Sequence, residues 1–283
     1  MNPARATKYK KMDIRKYTEE EKEIIHDIKE RTIGSCKKCF CGWVDDDILS
    51  DGVACNCRKV FIYLKELTYS GIPKEYWHLN FKNLKLTPSI IKTMFQKYIN
   101  NLNTAVEKGL GLCFFGSNGL GKTSLLVEIG KEAVIAGYNV VYTTTQNWVE
   151  YKMTDNQYNL DRISEAKIIL LDEIDKPYRK RGSDFVISSL ENFFRNELPK
   201  NKIVNLATNW NKKQMIENLG DSVWSIILRK NKPISLMGED KSERINDEWE
   251  EKLTSGSIDY LSDYFIEMAN RMRRFEKTGN RKN

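Results

Sequence analysis

The run Gly116-Ser117-Asn118-Gly119-Leu120-Gly121-Lys122-Thr123 fits the pattern G-x-x-x-x-G-K-[ST]. Glycines at these places let consecutive backbone N–H groups turn inward around phosphate oxygens. An apolar, strand-like run, Leu112-Cys113-Phe114-Phe115, precedes it and an amphipathic helix follows. The positive end of that helix dipole adds to the cradle. In such a setting Lys122 bridges the β- and γ-phosphates of a nucleotide and the Thr123 hydroxyl holds Mg2+. Downstream, the apolar strand Ile168-Ile169-Leu170-Leu171 delivers Asp172-Glu173. An aspartate at the end of a buried strand reaches the metal, and Glu173 can orient and polarise an attacking water. A third strand, Ile203-Val204-Asn205-Leu206-Ala207, ends in Thr208-Asn209. There Asn209 could sense the γ-phosphate or place the water. The following Asn209-Trp210-Asn211-Lys212-Lys213 does not supply the guanine-reading Asn-Lys-x-Asp, so ATP is favoured over GTP.

A second chemistry is written in the cysteines. Cys36-x₂-Cys39 and Cys55-Asn56-Cys57 are two chelating pairs separated by a loop. Two thiolate pairs can complete the tetrahedron that structural Zn2+ takes, leaving no open position for catalysis. A metal would help so short a segment to fold. Cys41 is a spare, and a ligand set containing it stays open. Cys113 lies in the strand before the phosphate loop and reads as packing. The two histidines, His26 and His78, lack ligand spacing to the cysteines.

These groups need elements to hold them. Thr18-Glu19-Glu20-Glu21 is a capping-box pattern that predicts a helix to about Arg31, stopped at Gly34. A short helix is expected over Val60–Leu67. Thr87-Pro88 opens a long one, with Ile91, Phe95, Tyr98, Leu102 and Val106 at helical spacing and Gly109 as its stop. From Gly111 strand and helix alternate. Strands are expected at Leu112–Phe115, Asn139–Thr144, Lys167–Leu171 and Ile203–Ala207, and helices at Lys122–Ala136 and Ser183–Leu198. Continuous apolar strands alternating with helices imply an α/β fold with a parallel sheet covered on both faces. Near the end Ile258, Leu261, Phe265, Met268 and Met272 predict an amphipathic helix leading into a basic tail.

Composition limits the alternatives. Charged residues are 30% and apolar ones 40% of the 283, which reads as a polar-surfaced globular chain. No apolar stretch reaches the roughly 20 residues of a membrane span, and Met1-Asn2-Pro3-Ala4-Arg5 leads into charged sequence with no signal core. A cytoplasmic location without a membrane partner is therefore expected, with cysteines serving metal or thiol chemistry in place of disulfides. The net charge of +7 suits a polyanionic partner. It gathers at Arg5–Lys16, at Lys176–Arg181, at Arg229, Lys230 and Lys232, and from Arg271 to Lys282. Lys176, Arg179, Lys180 and Arg181, with Tyr178 among them, could pair phosphates of a DNA strand while the ring stacks on a base. A solvated basic loop is the competing reading.

Taken together, these motifs resemble the DnaC/DnaI-type helicase loaders, a branch of the AAA+ ATPases that also includes the IstB-type transposition helpers. The entry Gly71-Ile72-Pro73-Lys74-Glu75-Tyr76-Trp77 with Phe81 looks like the segment leading into that ATPase domain. Gly116–Thr123, Leu171-Asp172-Glu173 and Thr208-Asn209 fall in the family's order. Gly238-Glu239-Asp240 with Arg244 is similar to its closing Gly-x-Asp-x-Arg, the arginine coming two places late. The resemblance implies an AAA+ P-loop domain at residues 71–245. An N-terminal helical and zinc-binding module would occupy 1–70, and an amphipathic helix with a basic tail 246–283. It also implies self-assembly, or assembly with a related AAA+ initiator, with ATP held between subunits. Single-stranded DNA would lie on the basic surface and a replicative DnaB-type helicase on the N-terminal module. The zinc module looks most like the DnaI side and its phage relatives.

One departure bears on rate. The family's Ser-Arg-Leu-like step, which supplies an arginine to the neighbour's ATP, corresponds to Trp224-Ser225-Ile226-Ile227-Leu228, with isoleucine in the arginine's place. Arg229, about one helical turn on, substitutes only if its helix rotates or shifts. Slow hydrolysis in isolation is the expectation. Two alternatives to a loader remain: an IstB-like transposition-targeting ATPase, and a non-catalytic nucleotide-gated adaptor.

Overall fold

The computed structural model describes residues 17–39, 54–81, 89–176, 183–198, 202–236 and 258–272. Five strands form one wholly parallel sheet: β1 (Gly111–Phe115), β2 (Val140–Thr144), β3 (Ile168–Asp172), β4 (Ile203–Thr208) and β5 (Asn231–Ser235), in the order β2-β3-β4-β1-β5. The four strands expected from apolar runs are present. β5 was not expected, because Asn-Lys-Pro-Ile-Ser has neither an apolar run nor strand propensity. It lies at the sheet edge, where proline is tolerated, and buries chiefly Asn231 and Ile234.

Successive side chains of a strand face opposite ways, so each strand feeds two cores. Leu112, Phe114, Ile168, Leu170, Ile203 and Ala207 join one apolar cluster, whereas Cys113, Ile169, Leu171, Val204 and Leu206 join the other. Helices α1 (Glu19–Lys29), α2 (Asn56–Ser70), α3 (Ser89–Asn100), α4 (Leu102–Lys108) and α5 (Lys122–Ile135) supply residues to the first cluster. Helices α6 (Thr145–Met153), α7 (Gln157–Glu165), α8 (Ser183–Asn192) and α9 (Lys212–Lys230) cover the second face. The last helix, α10 (Asp263–Asn270), returns to the first face and packs on α2 through Phe265, Met268 and Ala269.

Local chemistry explains the element ends. Thr18 accepts from the Glu21 N–H while the Glu21 carboxylate accepts from the Thr18 N–H, the capping box the pattern predicts. Beyond Lys29 the helix widens into a π-turn through Gly34. The helix around Val60–Leu67 is longer than expected and closes on Gly71 at φ 71°. The predicted long helix ending at Gly109 is two helices. At Asn101 the side-chain amide donates to the Lys97 carbonyl at 2.8 Å, offering the backbone an alternative to the ladder; Thr87 and Pro88 lie outside the described residues. The helix expected to 198 widens into a π-turn at Phe193–Glu197. The C-terminal helix begins at 263 and not 258, since the Asp259 carboxylate accepts from the Leu261 N–H at 2.9 Å and folds that stretch into a turn.

Buried charge fastens the outer helices. Glu21 of α1 accepts from Arg162 of α7 at 2.9 Å and from the Tyr158 hydroxyl at 2.8 Å, and Arg162 also donates to the Tyr69 carbonyl. Lys131 of α5 is 1% exposed and pairs with Glu128 at 2.7 Å. It also donates to the Tyr264 hydroxyl of α10 at 2.9 Å and to the Leu79 carbonyl, while Glu128 accepts from the Phe81 N–H. Removing one member of such a pair strands the other and costs about 3–5 kcal/mol.

Candidate functional site

The C-terminal ends of β1, β3 and β4 converge on a cavity of about 490 Å³ whose walls include Tyr76, Lys122, Thr123, Asp172, Glu173 and Asn209. The turn from β1 into α5 is tight. Gly116 has φ 141°, and a Cβ there would lie 2.4 Å from the Leu236 carbonyl oxygen. Gly121, the residue before α5, has φ 76°. Both need glycine, so the spacing in the motif is a backbone requirement. Lys122 is buried and donates to the Ser117 carbonyl at 2.5 Å, which curls the loop.

Asp172 sits at the last position of β3, 4% exposed. Its Oδ2 accepts from the Thr123 hydroxyl at 2.8 Å and from the Tyr142 hydroxyl at 3.0 Å, and its Oδ1 from the Glu173 N–H at 2.8 Å. Burial raises its affinity for a proton above the usual carboxylate range, and these three donors oppose that rise. Mg2+ with oxygens at 2.0–2.1 Å sets neighbouring ligands about 2.9 Å apart, so the Thr123–Asp172 separation fits an octahedral edge. The Tyr142 hydroxyl stays protonated as a donor, pushed far up by burial and then by the Asp172 charge.

Glu173 carries a positive φ of 55°, unusual for a side chain of this size, and forms an ion pair with Lys176. The turn it begins is pinned to the end of β4. Ile174 donates to the Ala207 carbonyl at 3.2 Å. Asp175 accepts from the Asn209 N–H at 2.8 Å, the Asn209 side-chain amide at 3.0 Å and the Thr208 hydroxyl at 3.2 Å. Burial raises the Asp175 proton affinity, but the donors outweigh it and hold the carboxyl below its usual range. Tyr76 stands in the entry segment Gly71–Trp77 that the resemblance marks, though with no site role, whereas Asp175 and Tyr142 belong to no motif. Of these two only Asp175, two places after Glu173, left a trace, as a third acid following the strand.

The thiols also converge. Cys36 and Cys39 follow the π-turn, Cys55 precedes α2 and Cys57 lies in its first turn. Their four Sγ atoms lie within 4.8 Å of one another, with Cys36–Cys55 at 3.9 Å and Cys39–Cys57 at 3.4 Å. A tetrahedron with 2.3 Å metal–sulfur bonds has edges of about 3.8 Å, so the cluster could hold a metal ion. Cys41 lies outside the described residues. Cys113 is buried in β1 and His26 is exposed on α1.

Ile226 is 8% exposed in the apolar cluster under α9, and Arg229 is exposed on the same helix. Gly238–Arg244, Tyr178–Arg181, Arg5–Lys16 and the tail beyond Met272 lie outside the described residues. Among the described residues no helix is long and apolar enough to cross a membrane.

Residues 112–224 match the AAA family, "ATPase family associated with various cellular activities", and the parallel sheet with its helices is an AAA+ P-loop fold. A crystal structure of the DnaC helicase loader superposes with TM-score 0.51 at 21% identity, covering 58% of this chain and all of that one. The DnaI structure gives 0.48 at 19% identity over 60% of this chain and 94% of that one. Domain III of the Thermotoga maritima replication initiation protein DnaA gives 0.47 at 18%, covering 72% and 84%. At 21% identity the likeness to the DnaC loader structure concerns fold alone. No curated protein matches the sequence.

Proposed function

We propose that this AAA ATPase is an ATP-dependent loader that binds single-stranded DNA and delivers a hexameric DnaB-type replicative helicase to it, in the cytoplasm. In this reading the loop Gly116–Thr123 and Lys122 hold the phosphates, and Thr123 and Asp172 hold Mg2+. Glu173 polarises the attacking water and Asn209 reads the γ-phosphate. Mg2+, when bound, neutralises charge across the β- and γ-phosphates. Residues 1–70 act as the partner-binding module, 71–245 as the ATPase domain and 246–283 as a helix and basic tail. Copies of the chain, or a related AAA+ initiator, assemble with ATP between them. Zn2+ on Cys36, Cys39, Cys55 and Cys57 cross-links the module when bound.

One observation carries the reading. The thiol cluster caps one end of α2, and the other end leads through Gly71 and Ile72 to Tyr76 on the cavity wall. In this reading α2 joins the metal-binding module to the ATPase domain, the pairing that the DnaI-side resemblance implies. The test has two arms: hydrolysis by wild type and Glu173→Gln with and without single-stranded DNA, and co-elution with a DnaB-type hexamer before and after metal removal. DNA-stimulated turnover lost in the variant, with metal-dependent co-elution, is expected. Absence of both would sink the loader reading. The buried Ile226 favours a second reading, a nucleotide-gated adaptor; ATP binding without turnover even beside DNA and helicase would select it.

A further inference from the structure

We infer that Lys176 is a catalytic cation of the nucleotide site, acting on the γ-phosphate from within the same chain. The inference rests on the proposed binding of a nucleoside triphosphate in this cavity. Among the described residues the cations on the cavity wall are Lys122 and Lys176. Lys122 belongs to the phosphate loop, so Lys176 is the one that enters from the Asp172–Glu173 side. Its backbone is fixed there: its N–H donates to the Glu173 carbonyl at 3.1 Å, and the turn is tied to β4 through Ile174 and Asp175.

The side chain, in contrast, is held lightly. Its ammonium pairs with the Glu173 carboxylate, with the two side chains 45% and 30% exposed. An ion pair so exposed is worth about 0–1 kcal/mol. A γ-phosphate, with more negative charge than one carboxylate, can take the ammonium from it. That exchange does two things at once: it places positive charge where the transition state accumulates negative charge, and it frees Glu173 for the water. The water oxygen then bonds to the γ-phosphorus as the bond to the β–γ bridging oxygen breaks. ADP leaves with that electron pair, and the water proton passes to Glu173. Lys176 keeps its proton throughout and donates hydrogen bonds. Where the resemblance places an arginine that would serve a neighbour, this chain has Ile226, buried on the apolar face of α9.

The test compares wild type, Lys176→Met and Lys176→Arg for binding of ADP and of the non-hydrolysable analogue AMP-PNP, and for single-turnover ATP hydrolysis. Lys176→Met is expected to weaken AMP-PNP binding about 10-fold with ADP binding unchanged, and to slow hydrolysis on the order of 10²-fold; Lys176→Arg restores both in part. Unchanged analogue preference, or faster hydrolysis in Lys176→Met, overturns the inference, the latter making Lys176 only a restraint on Glu173. Wild type that binds neither nucleotide overturns the nucleotide-site reading itself. Wild type that binds without turning over leaves the analogue-over-ADP preference to decide.

Discussion

The cavity at the phosphate-loop motif and the thiol cluster are connected by α2, whose 15 residues span about 22 Å, and by the short segment on to Tyr76, and they are built on opposite principles. The acids of the cavity are satisfied by protein donors. Asp172 has three donors, Asp175 has three more, and the strand ladder fixes the spacing between them. Hydrogen bonds within the protein set the geometry of such a site. The thiol cluster sets four ionisable sulfurs from two chain segments at contact distance, and thiolates that close repel one another unless a cation lies between them. Protein donors hold one site in shape; in the proposed reading a metal ion would hold the other.

That contrast can be broken at several points. The largest effect is expected for Glu173→Gln, which should slow single-turnover hydrolysis by 10³-fold or more with nucleotide affinity kept. A variant that loses ATP binding instead would show that those hydrogen bonds do not suffice to set the cavity. Metal removal, or Cys57→Ser, should come next. Hydrogen exchange is expected to accelerate over residues 30–39 and 54–64 while β1, β3 and β4 stay protected, with a metal-to-chain ratio near one before treatment. Uniform acceleration across both regions would erase the distinction.

Lys131→Met tests the buried contact that ties α5 to α10 and to the segment at Leu79. It strands the Glu128 carboxylate among buried groups, and denaturant unfolding should show a loss of about 3–5 kcal/mol. Asp175→Asn should cost about 1–3 kcal/mol at neutral pH. The Asp175 carboxyl is held below the usual 3.8, so its contribution is present above that value and lost as pH falls through the depressed one. The gap between wild type and variant should therefore close below about pH 4; a gap that persists in acid would mean the effect is packing. The smallest effect is expected for Tyr142→Phe, which removes one donor to Asp172 and should raise the Mg2+ concentration needed for half-maximal turnover by less than 10-fold. An unchanged requirement would mean Thr123 and the Glu173 N–H suffice.

The sequence alone determined the residues with local signatures. Gly116–Thr123, the apolar strand before Asp172-Glu173, the strand before Asn209 and the two cysteine pairs are legible because each is a short pattern set by backbone or ligand geometry. So is the parallel sheet, since buried strands must be continuously apolar. Tertiary structure decided what depends on groups far apart in the chain. β5 is too polar to announce itself and exists because β1 offers it an edge. Tyr142 reaches Asp172, and Asp175 anchors Asn209, only because parallel pairing brings strand ends level. The docking of α10 on α2 and the burial of Lys131 with Glu128 follow from a chain that returns to its first face. Periodicity can mark a face as apolar, but it carries no record of which distant segment will cover it.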